Sequence, residues 1–379
     1  MNTTLIQSNL EYGLGIIMGA VDKKKIGDYS DSIFMDSERG AGNVVLHATD
    51  MELFASITVD CVETADGGSI VLPAEKFLSA IKGCGPGEVS ICSGTDLKSS
   101  ITGTAAEYEI SGYAPVDYPV GYHDDTRDLV FNFSAGDVQM CINAVRHAVC
   151  RDLTKQTLCG INFSLKPLDG DSASLTIAAT DGHRLSLATL EIPGENIIAR
   201  GETHTFTLPG KASDLLTRIT AKIGVGRVAK QNRLYFQSGS ISVCVSEGTR
   251  EYPDVRRIVP TGPGEIITIE TDALSGAIES CCIMSDDQYR SVNLAVSGET
   301  ITVTALGTNN TARAKVPCLS DSEIKIRMNS HYLLQAIKSI DSTEIFIKYF
   351  GPASPVMILP ADHKRWNERI EIVMPLGGE

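Results

Sequence analysis

A short motif that returns along the chain constrains the fold more than any other feature. Thr180, Asp181, Gly182, His183 and Arg184 lie between Leu175, Ile177 and Ala179 on one side and Leu185 and Leu187 on the other. Alternation of that kind marks half-buried strands, so this segment is a hairpin tip. His47 to Met51 repeats the arrangement, after Val44 to Leu46 and before the alternating Leu53, Ala55, Ile57 and Val59. A weaker copy has Val303, Thr304 and Ala305 leading to Gly307 and Thr308, then Ala312, Ala314 and Val316. The chain is one unit written three times.

The repeat extends on both sides of the tip. Leu10, Leu14, Ile17, Met18 and Val21 share one helical face; Val138, Cys141, Ile142, Val145 and Val149 share another; Leu274, Ala277, Ile278, Cys281 and Cys282 a third. Each unit is therefore expected to open on an amphipathic helix, the second with a capping-box-like Ser134 and Asp137. A second helix follows each hairpin. Pro73 precedes Phe77, Leu78 and Ile81; Pro209 precedes Leu215, Leu216 and Ile219; Ser330, as a cap, precedes Leu333, Leu334 and Ile337. Gly83, Gly85, Pro86 and Gly87 end the first of these.

The predicted class is α+β, helix, strands, helix, strands, three times over. A third of the 379 residues is about 126, an ordinary domain size. Junctions are expected just after Tyr118 and Pro119 and after Tyr252, Pro253 and Asp254, with the Pro/Gly stretch 259–264 strengthening the second. This gives domains 1–124, 125–260 and 261–379. Sheets in such a unit still expose edge strands, which a repeat protein can pair between neighbours in an open array or, if the rotation closes, in a ring. Sequence physics alone leaves both open.

Composition narrows the function classes. A net charge of −14 argues against tight nucleic-acid binding by phosphate neutralisation. With 42% hydrophobic and 21% charged residues the chain folds, and the Gly-interrupted stretch 14–21 is too short for a signal peptide or a membrane span, so a cytoplasmic protein is expected. The 10 cysteines include no C-x-x-C pair, which indicates neither a disulfide framework nor a metal site, and no cofactor motif is present. Asp181, His183 and Ser186 could suggest catalysis. Residues two apart on a strand lack the oriented relay of a triad, and no nucleophile elbow or Walker motif accompanies them. Asp181 is expected to cap its turn and His183 to pack, so no catalytic residue is assigned.

These residues bring the chain close to a known family. Over its whole length it resembles the beta sliding clamp (beta subunit) of bacterial DNA polymerase III, most specifically at Thr180 to Leu185, at the run from Tyr252 to Pro260, and at Met374-Pro375. The resemblance implies three tandem helix-sheet clamp domains. Two chains would close head to tail into a homodimeric ring, sheets outside and helices lining a pore for duplex DNA. It implies a non-catalytic processivity factor that tethers the polymerase catalytic subunit, and that the clamp loader and repair proteins also engage through short hydrophobic motifs. The alternative is a repeat-built interaction scaffold that never encircles DNA.

The family's basic loop matches Lys23, Lys24 and Lys25, with Lys24 and Lys25 as expected phosphate contacts. Lys76, Lys82, Arg146, Arg151, Lys211, Arg218, Lys222 and Lys338 lie in or beside the helical segments and are expected to face the pore. The family's partner-peptide pocket maps onto Leu158, Thr180, Gly182, His183, Arg184, Leu185, Pro253, Arg257 and Ile258, with Asn329, Tyr332, Val356, Met374, Pro375 and Leu376 from the third domain. Its dimer contacts map onto Tyr108 and Ile110 and onto Ile283 and Met284. Departures from the family pattern are Val255, Lys155, Thr157 and the Gly377-Gly378-Glu379 tail, which is expected to make the pocket rim more acidic. The stretch 361–368, with the lone Trp366, is expected beside the pocket strand, covering part of it.

Overall fold

The computed structural model describes residues 1–22, 29–119, 128–199, 201–228, 232–247, 251–284, 290–307 and 309–377; Thr308, Gly378 and Glu379 lie outside them. The first repeat runs β1 (Asn2–Ile6), α1 (Gln7–Ile17), β2 (Ser32–Ser37), β3 (Asn43–Thr49), β4 (Leu53–Asp66), β5 (Gly68–Pro73), α2 (Ala74–Gly83), β6 (Glu88–Ser93), β7 (Lys98–Thr102) and β8 (Glu107–Ser111). The second has β9 (Asp128–Phe133), α3 (Ala135–Val145), β10 (Gly160–Pro167), β11 (Ala173–Thr180), β12 (Arg184–Ile192), β13 (His204–Pro209), α4 (Gly210–Leu216), β14 (Ile223–Val228), β15 (Arg233–Ser238) and β16 (Ile241–Ser246). The third has β17 (Glu265–Glu270), α5 (Thr271–Cys282), β18 (Ser291–Ser297), β19 (Thr300–Leu306), β20 (Thr311–Pro317), β21 (Ile324–Asn329), α6 (Ser330–Lys338), β22 (Glu344–Tyr349), β23 (Val356–Pro360) and β24 (Glu368–Val373).

Each repeat thus opens on a strand, where the sequence pattern placed a helix. β1 buries only Thr3 and Leu5, too short a period-two signal beside the longer helical one. The helical faces are as expected: Leu10, Leu14 and Ile17 are buried on α1, Val138, Cys141, Ile142 and Val145 on α3, and Leu274, Ile278 and Cys281 on α5. The Ser134 Oγ accepts from the Asp137 amide at 3.1 Å, as the capping pattern implied. On α6 the cap is one residue earlier than expected. The Asn329 side chain accepts from the amides of His331 (3.0 Å) and Tyr332 (3.1 Å), while Ser330 is the first helical residue and donates to the Arg290 carbonyl at 2.8 Å.

Strand pairing, antiparallel throughout, follows one rule with one addition, the pairing of β1 with β4 in the first repeat. In every repeat the second strand pairs the third and fifth, the third pairs the fourth, the sixth pairs the first and seventh, and the seventh pairs the eighth. Between repeats the fourth strand takes the eighth of the next. β4 pairs β16 from Leu53↔Val245 to Ile57↔Ile241, and β12 pairs β24 from Arg184↔Val373 to Thr189↔Glu368. The remaining eighth and fourth strands, β8 and β20, are sheet edges.

Contacts group the chain into two compact units, Met1–Gln139 with Asn196–Ala199 and Lys211–Thr249, and Met140–Glu195 with Arg200–Gly210 and Arg250–Glu379. The first holds the 12-stranded sheet that contains the β4–β16 junction, with α1 against α2. The second holds the 8-stranded sheet containing the β12–β24 junction and the 4-stranded sheet of β20, β19, β18 and β21. In the second unit α5 and α6 close an aliphatic core that includes Ile269, Leu274, Ile278, Val292, Val303, Leu333, Ile337 and Ile358.

A buried ion pair lies under the β12–β24 junction. Arg369 and Glu371, two apart on β24, are 2% and 1% exposed, and their side chains meet at 2.5 Å. The guanidinium donates to the Ala144 carbonyl on α3 (2.7 Å), the Ser339 hydroxyl after α6 (2.9 Å), and the Ser186 hydroxyl (3.1 Å) and Leu187 carbonyl (3.3 Å) of β12. The carboxylate meets Ser186 Oγ at 2.7 Å, Ser339 Oγ at 2.9 Å and His147 Nε2 at 3.0 Å. Burial opposes the charged form of Glu371, but Arg369 and His147 outweigh it and hold the carboxyl below its ordinary range. One polar knot therefore ties β24 to β12, α3 and α6.

Removing one partner strands a buried charge. Arg369→Met is expected to lower unfolding free energy by about 3–5 kcal/mol, whereas the paired change with Glu371→Leu recovers most of it, read from urea midpoints. Because the Glu371 carboxyl titrates lower folded than unfolded, its contribution is complete above the ordinary carboxylate range and is lost as pH falls through the folded value. Glu371→Gln should therefore cost most at pH ~7 and progressively less below pH ~4. A gap that widened in acid would contradict this sign.

The hairpin tips yield a second expectation. Met51 and Gly182 occupy the same place in their turns, with φ +76° and +91°. Left-handed backbone strains Met51 by roughly 1–2 kcal/mol, partly offset by glycine's larger unfolded-state entropy. Met51→Gly should therefore raise stability by up to ~1 kcal/mol and Gly182→Met should lower it, as chemical denaturation would report.

Candidate functional site

Backbone chemistry builds the tip between β11 and β12. Asp181 Oδ1 accepts from the amides of His183 (2.9 Å) and Arg184 (3.1 Å), and Thr180 Oγ1 donates to the Arg184 carbonyl (2.6 Å). Asp181 Oδ2 holds Arg184 Nε at 3.0 Å. So oriented, the Arg184 guanidinium lies 4.4 Å from the centroid of the Tyr332 ring on α6 and bonds Gln335 Oε1, while the His183 ring stacks beside Tyr332 at 6.3 Å. Asp181 caps its turn as expected. Ser186 is fully buried on the Glu371 network, so the Asp181, His183 and Ser186 side chains do not converge.

The C-terminal stretch completes a continuous surface. The Met374 amide donates to the His183 carbonyl at 2.9 Å, Pro375 bridges Met328, and the Leu376 amide donates to the Arg327 carbonyl at 2.8 Å. Met374, Pro375 and Leu376 are half-buried and run from the hairpin tip to β21. Leu185 is buried beneath, in a cluster with Val255, Met357, Ile370 and Ile372, and Val356 is buried in register with Val373. These two form floor and support, not exposed walls. Asn329 acts through its cap, which fixes Tyr332.

Two short 3₁₀ turns flank the tip. Leu153–Leu158 is capped by Asp152, which accepts from the Thr154 amide at 3.0 Å, and its Lys155 Nζ donates to the Asp181 carbonyl at 3.4 Å. Val255–Ile258 is capped by Asp254, which also pairs Arg257 Nε at 3.1 Å. Leu158 is half-buried, and Pro253, Arg257 and Ile258 are exposed on the second turn and its entry.

Several contributors escape the sequence reading. Tyr252 accepts from the Thr180 amide at 2.9 Å, and its hydroxyl pKa is pushed up by burial. Tyr118 in the first repeat, also before a proline, instead stacks on Phe34 and donates to the His47 carbonyl at 3.1 Å, so the repeated Tyr-Pro was the available signal. Gln335 carried no signal at all. Burial, and then the charges of Arg184, Arg290 and Arg151, hold His331 below its ordinary range, while Glu379, expected to make the rim acidic, lies outside the described residues. Trp366 does not adjoin the hairpin tip. The turn 361–367 enters β24 at the Glu368↔Thr189 end, whereas the tip adjoins the Val373↔Arg184 end, five residues or roughly 17 Å away along the strand.

Of the basic residues, Lys24 and Lys25, with Lys23, lie outside the described residues. Lys76 and Lys82 on α2, Arg146 and Arg151 after α3, Lys211 and Arg218 in and after α4, Lys222 before β14 and Lys338 on α6 are all exposed. Lys211 pairs with Asp50 at 2.6 Å, Lys338 pairs with Glu279, and Arg218 donates to the Gly15 carbonyl at 2.9 Å. Tyr108 is half-buried and Ile110 buried on the edge strand β8, while Ile283 and Met284, just after α5, are 78% and 41% exposed. Among the described residues no cluster of His, Cys, Asp and Glu could hold a metal ion.

Comparison with known proteins agrees with this architecture. The family model for the DNA polymerase III beta subunit, central domain, matches residues 133–249, and that for its C-terminal domain matches residues 256–375. Proteins named beta sliding clamp from Staphylococcus epidermidis and Staphylococcus aureus are 25% and 24% identical over 346 residues, covering 88% of this chain and 88% of each relative. The DNA polymerase III beta subunit of Thermotoga maritima superposes with a TM-score of 0.89 at 18% identity, covering 100% of both chains. A sliding clamp from Pseudomonas aeruginosa bound to griselimycin gives 0.87 at 20%, again covering 100% of both. The two family models together span more than half of the sequence, and the chain belongs to the DNA polymerase III beta subunit, or beta sliding clamp, family.

Proposed function

We propose that this protein is a sliding clamp of three domains, 1–124, 125–260 and 261–379, two copies of which close head to tail around duplex DNA. The observation that carries this reading is the pairing rule. The fourth strands β4 and β12 take the eighth strands β16 and β24 of the following repeat, while among the described residues β20 and β8 end their sheets. A second copy supplies both. Tyr108 and Ile110 on β8 would then meet Ile283 and Met284 beside β20, which gives the exposed Ile283 and Met284 an apolar partner.

Held by topology, the DNA needs little contact energy, so a net charge of −14 is compatible with binding. Lys24, Lys25, Lys76, Lys82, Arg146, Arg151, Lys211, Arg218, Lys222 and Lys338 are the proposed pore-facing cations. Those already paired with carboxylates, Lys211 and Lys338, contribute weakly held contacts suited to sliding. The function is tethering, not catalysis, in the cytoplasm. No helix among the described residues is long and apolar enough to cross a membrane.

The proposed peptide pocket joins Thr180, Gly182, His183, Arg184 and Tyr332 with Met374, Pro375 and Leu376, over Leu185 and Val356, flanked by Leu158, Pro253, Arg257, Ile258 and the Asn329 cap. Polymerase catalytic subunit, clamp loader and repair proteins would present two or three leucine- or phenylalanine-sized anchors, each giving about 1.5–3 kcal/mol before ordering costs. Met and aliphatic side chains adapt to varied anchors.

After loading, the protein should remain on nicked circular duplex at moderate salt and run off once the circle is cut. Equal loss from circles and linear DNA would leave the open scaffold as the better description. Ile283→Ala with Met284→Ala is expected to halve the mass in solution while the circular dichroism stays unchanged. Deleting residues 374–379 should abolish binding of a labelled peptide bearing two leucines and a phenylalanine without altering the dimer; retained affinity would place the pocket elsewhere.

A further inference from the structure

The 3₁₀ turn Leu153–Leu158 is bracketed by two cysteines. Cys150 is buried and Cys159 half-buried, and neither is in a disulfide. Both thiols donate to one acceptor, the Asp152 carbonyl, at 3.8 Å and 3.3 Å. The Cys150 amide donates to the carbonyl of Leu158, the residue before Cys159, at 3.1 Å, which closes the base of the turn. That hydrogen bond holds the two backbone segments in contact, and a disulfide needs them about 4.4–6.8 Å apart between Cα atoms.

We propose that Cys150 and Cys159 form a reversible disulfide site that controls the rim of the peptide pocket. The second clause rests on the pocket reading given above. The oxidant class is a low-molecular-weight disulfide. The Cys159 thiolate, the more accessible of the two, attacks it, forms a mixed disulfide and releases one small thiolate. The Cys150 thiolate then attacks Cys159 Sγ and expels the second. Two protein thiols are oxidised, one small disulfide is reduced to two small thiols, and the protons released by the cysteines pass to the leaving thiolates. Burial, and then the Cys150 neighbour, raise the Cys159 thiol pKa, so exchange is slow at neutral pH and quickens in alkali.

Closure removes both donors from the Asp152 carbonyl. Asp152 caps the turn through the Thr154 amide at 3.0 Å, and the turn carries Leu158 and Lys155, whose ammonium reaches the Asp181 carbonyl of the tip at 3.4 Å. The rim is thus re-set from beneath. Neither cysteine takes part in the proposed peptide contacts, so the effect on binding passes through the turn.

The test incubates the full chain at pH ~8.5 with excess oxidised glutathione, followed by alkylation, digestion and mass mapping. The expected result is loss of two alkylatable thiols and one linkage, Cys150 to Cys159, reversed by dithiothreitol. In Cys150→Ser, glutathione should instead persist on Cys159. Ten alkylatable thiols, stable glutathione on Cys159 of the unaltered chain, or a linkage elsewhere would overturn the site. Affinity for the labelled leucine/phenylalanine peptide should fall roughly tenfold on oxidation and return on reduction. It should not fall in the variant with both Cys150 and Cys159 changed to Ser. Unchanged affinity in the linked protein would overturn control of the rim. A reduced protein that never binds the peptide would count against the pocket reading, and the thiol map would still decide the disulfide.

Discussion

Unpaired backbone at a sheet edge is the constraint on which this structure depends. Each repeat ends its two sheets with strands whose amides and carbonyls need partners, and one repeat cannot supply them all. The chain answers with the same move twice, β4 against β16 and β12 against β24. Because the move is directional, fourth strand to eighth, it leaves two complementary edges in one chain. The proposed closure by a second copy follows from that direction.

The second junction carries more than backbone bonds. Arg369 and Glu371 bring charge into a place where water does not reach, and only the ring of partners from β12, α3 and the end of α6 makes that tolerable. The knot fixes the strand whose end delivers Met374 to the His183 carbonyl. A charged pair is a demanding fastener, since it tolerates only one arrangement of its neighbours. That suits a strand whose register decides where Met374, Pro375 and Leu376 emerge.

Equivalent tips have diverged in what they hold. Asp50 and Asp181 cap their turns identically, Asp50 Oδ1 accepting from the Leu53 amide at 2.8 Å as Asp181 Oδ1 accepts from Arg184. At the first junction the other carboxylate oxygen takes Lys211, and the residue after Leu53 is Phe54, clustered with Tyr235 and Cys244. At the second it orients Arg184 over Tyr332, and Leu185 lies on a floor of Met357, Ile370 and Ile372. Aromatic filling at one junction and an aliphatic, Met-containing floor at the other account for a proposed peptide site at only the second.

Periodicity and turn chemistry are local, so the threefold repeat, both helices of each unit, the first two hairpin tips and the capping role of Asp181 are readable from the residues alone. The sequence placed Arg184, Tyr332 and Met374 together only through family resemblance. The short strands β1, β9 and β17 were illegible because two or three inward residues make no period, and the α6 cap shifted to Asn329 because neighbouring polar residues compete for one role. Other features depended on what lies across the fold. Arg369 and Glu371 look like surface residues of a polar strand, and Trp366 looks close to a hairpin tip that it does not adjoin. Cys150 and Cys159 read as scattered thiols until one carbonyl gathers both. Tertiary structure decided these, because burial, charge pairing and register are properties of the partner a residue meets, and that partner lies far away in sequence.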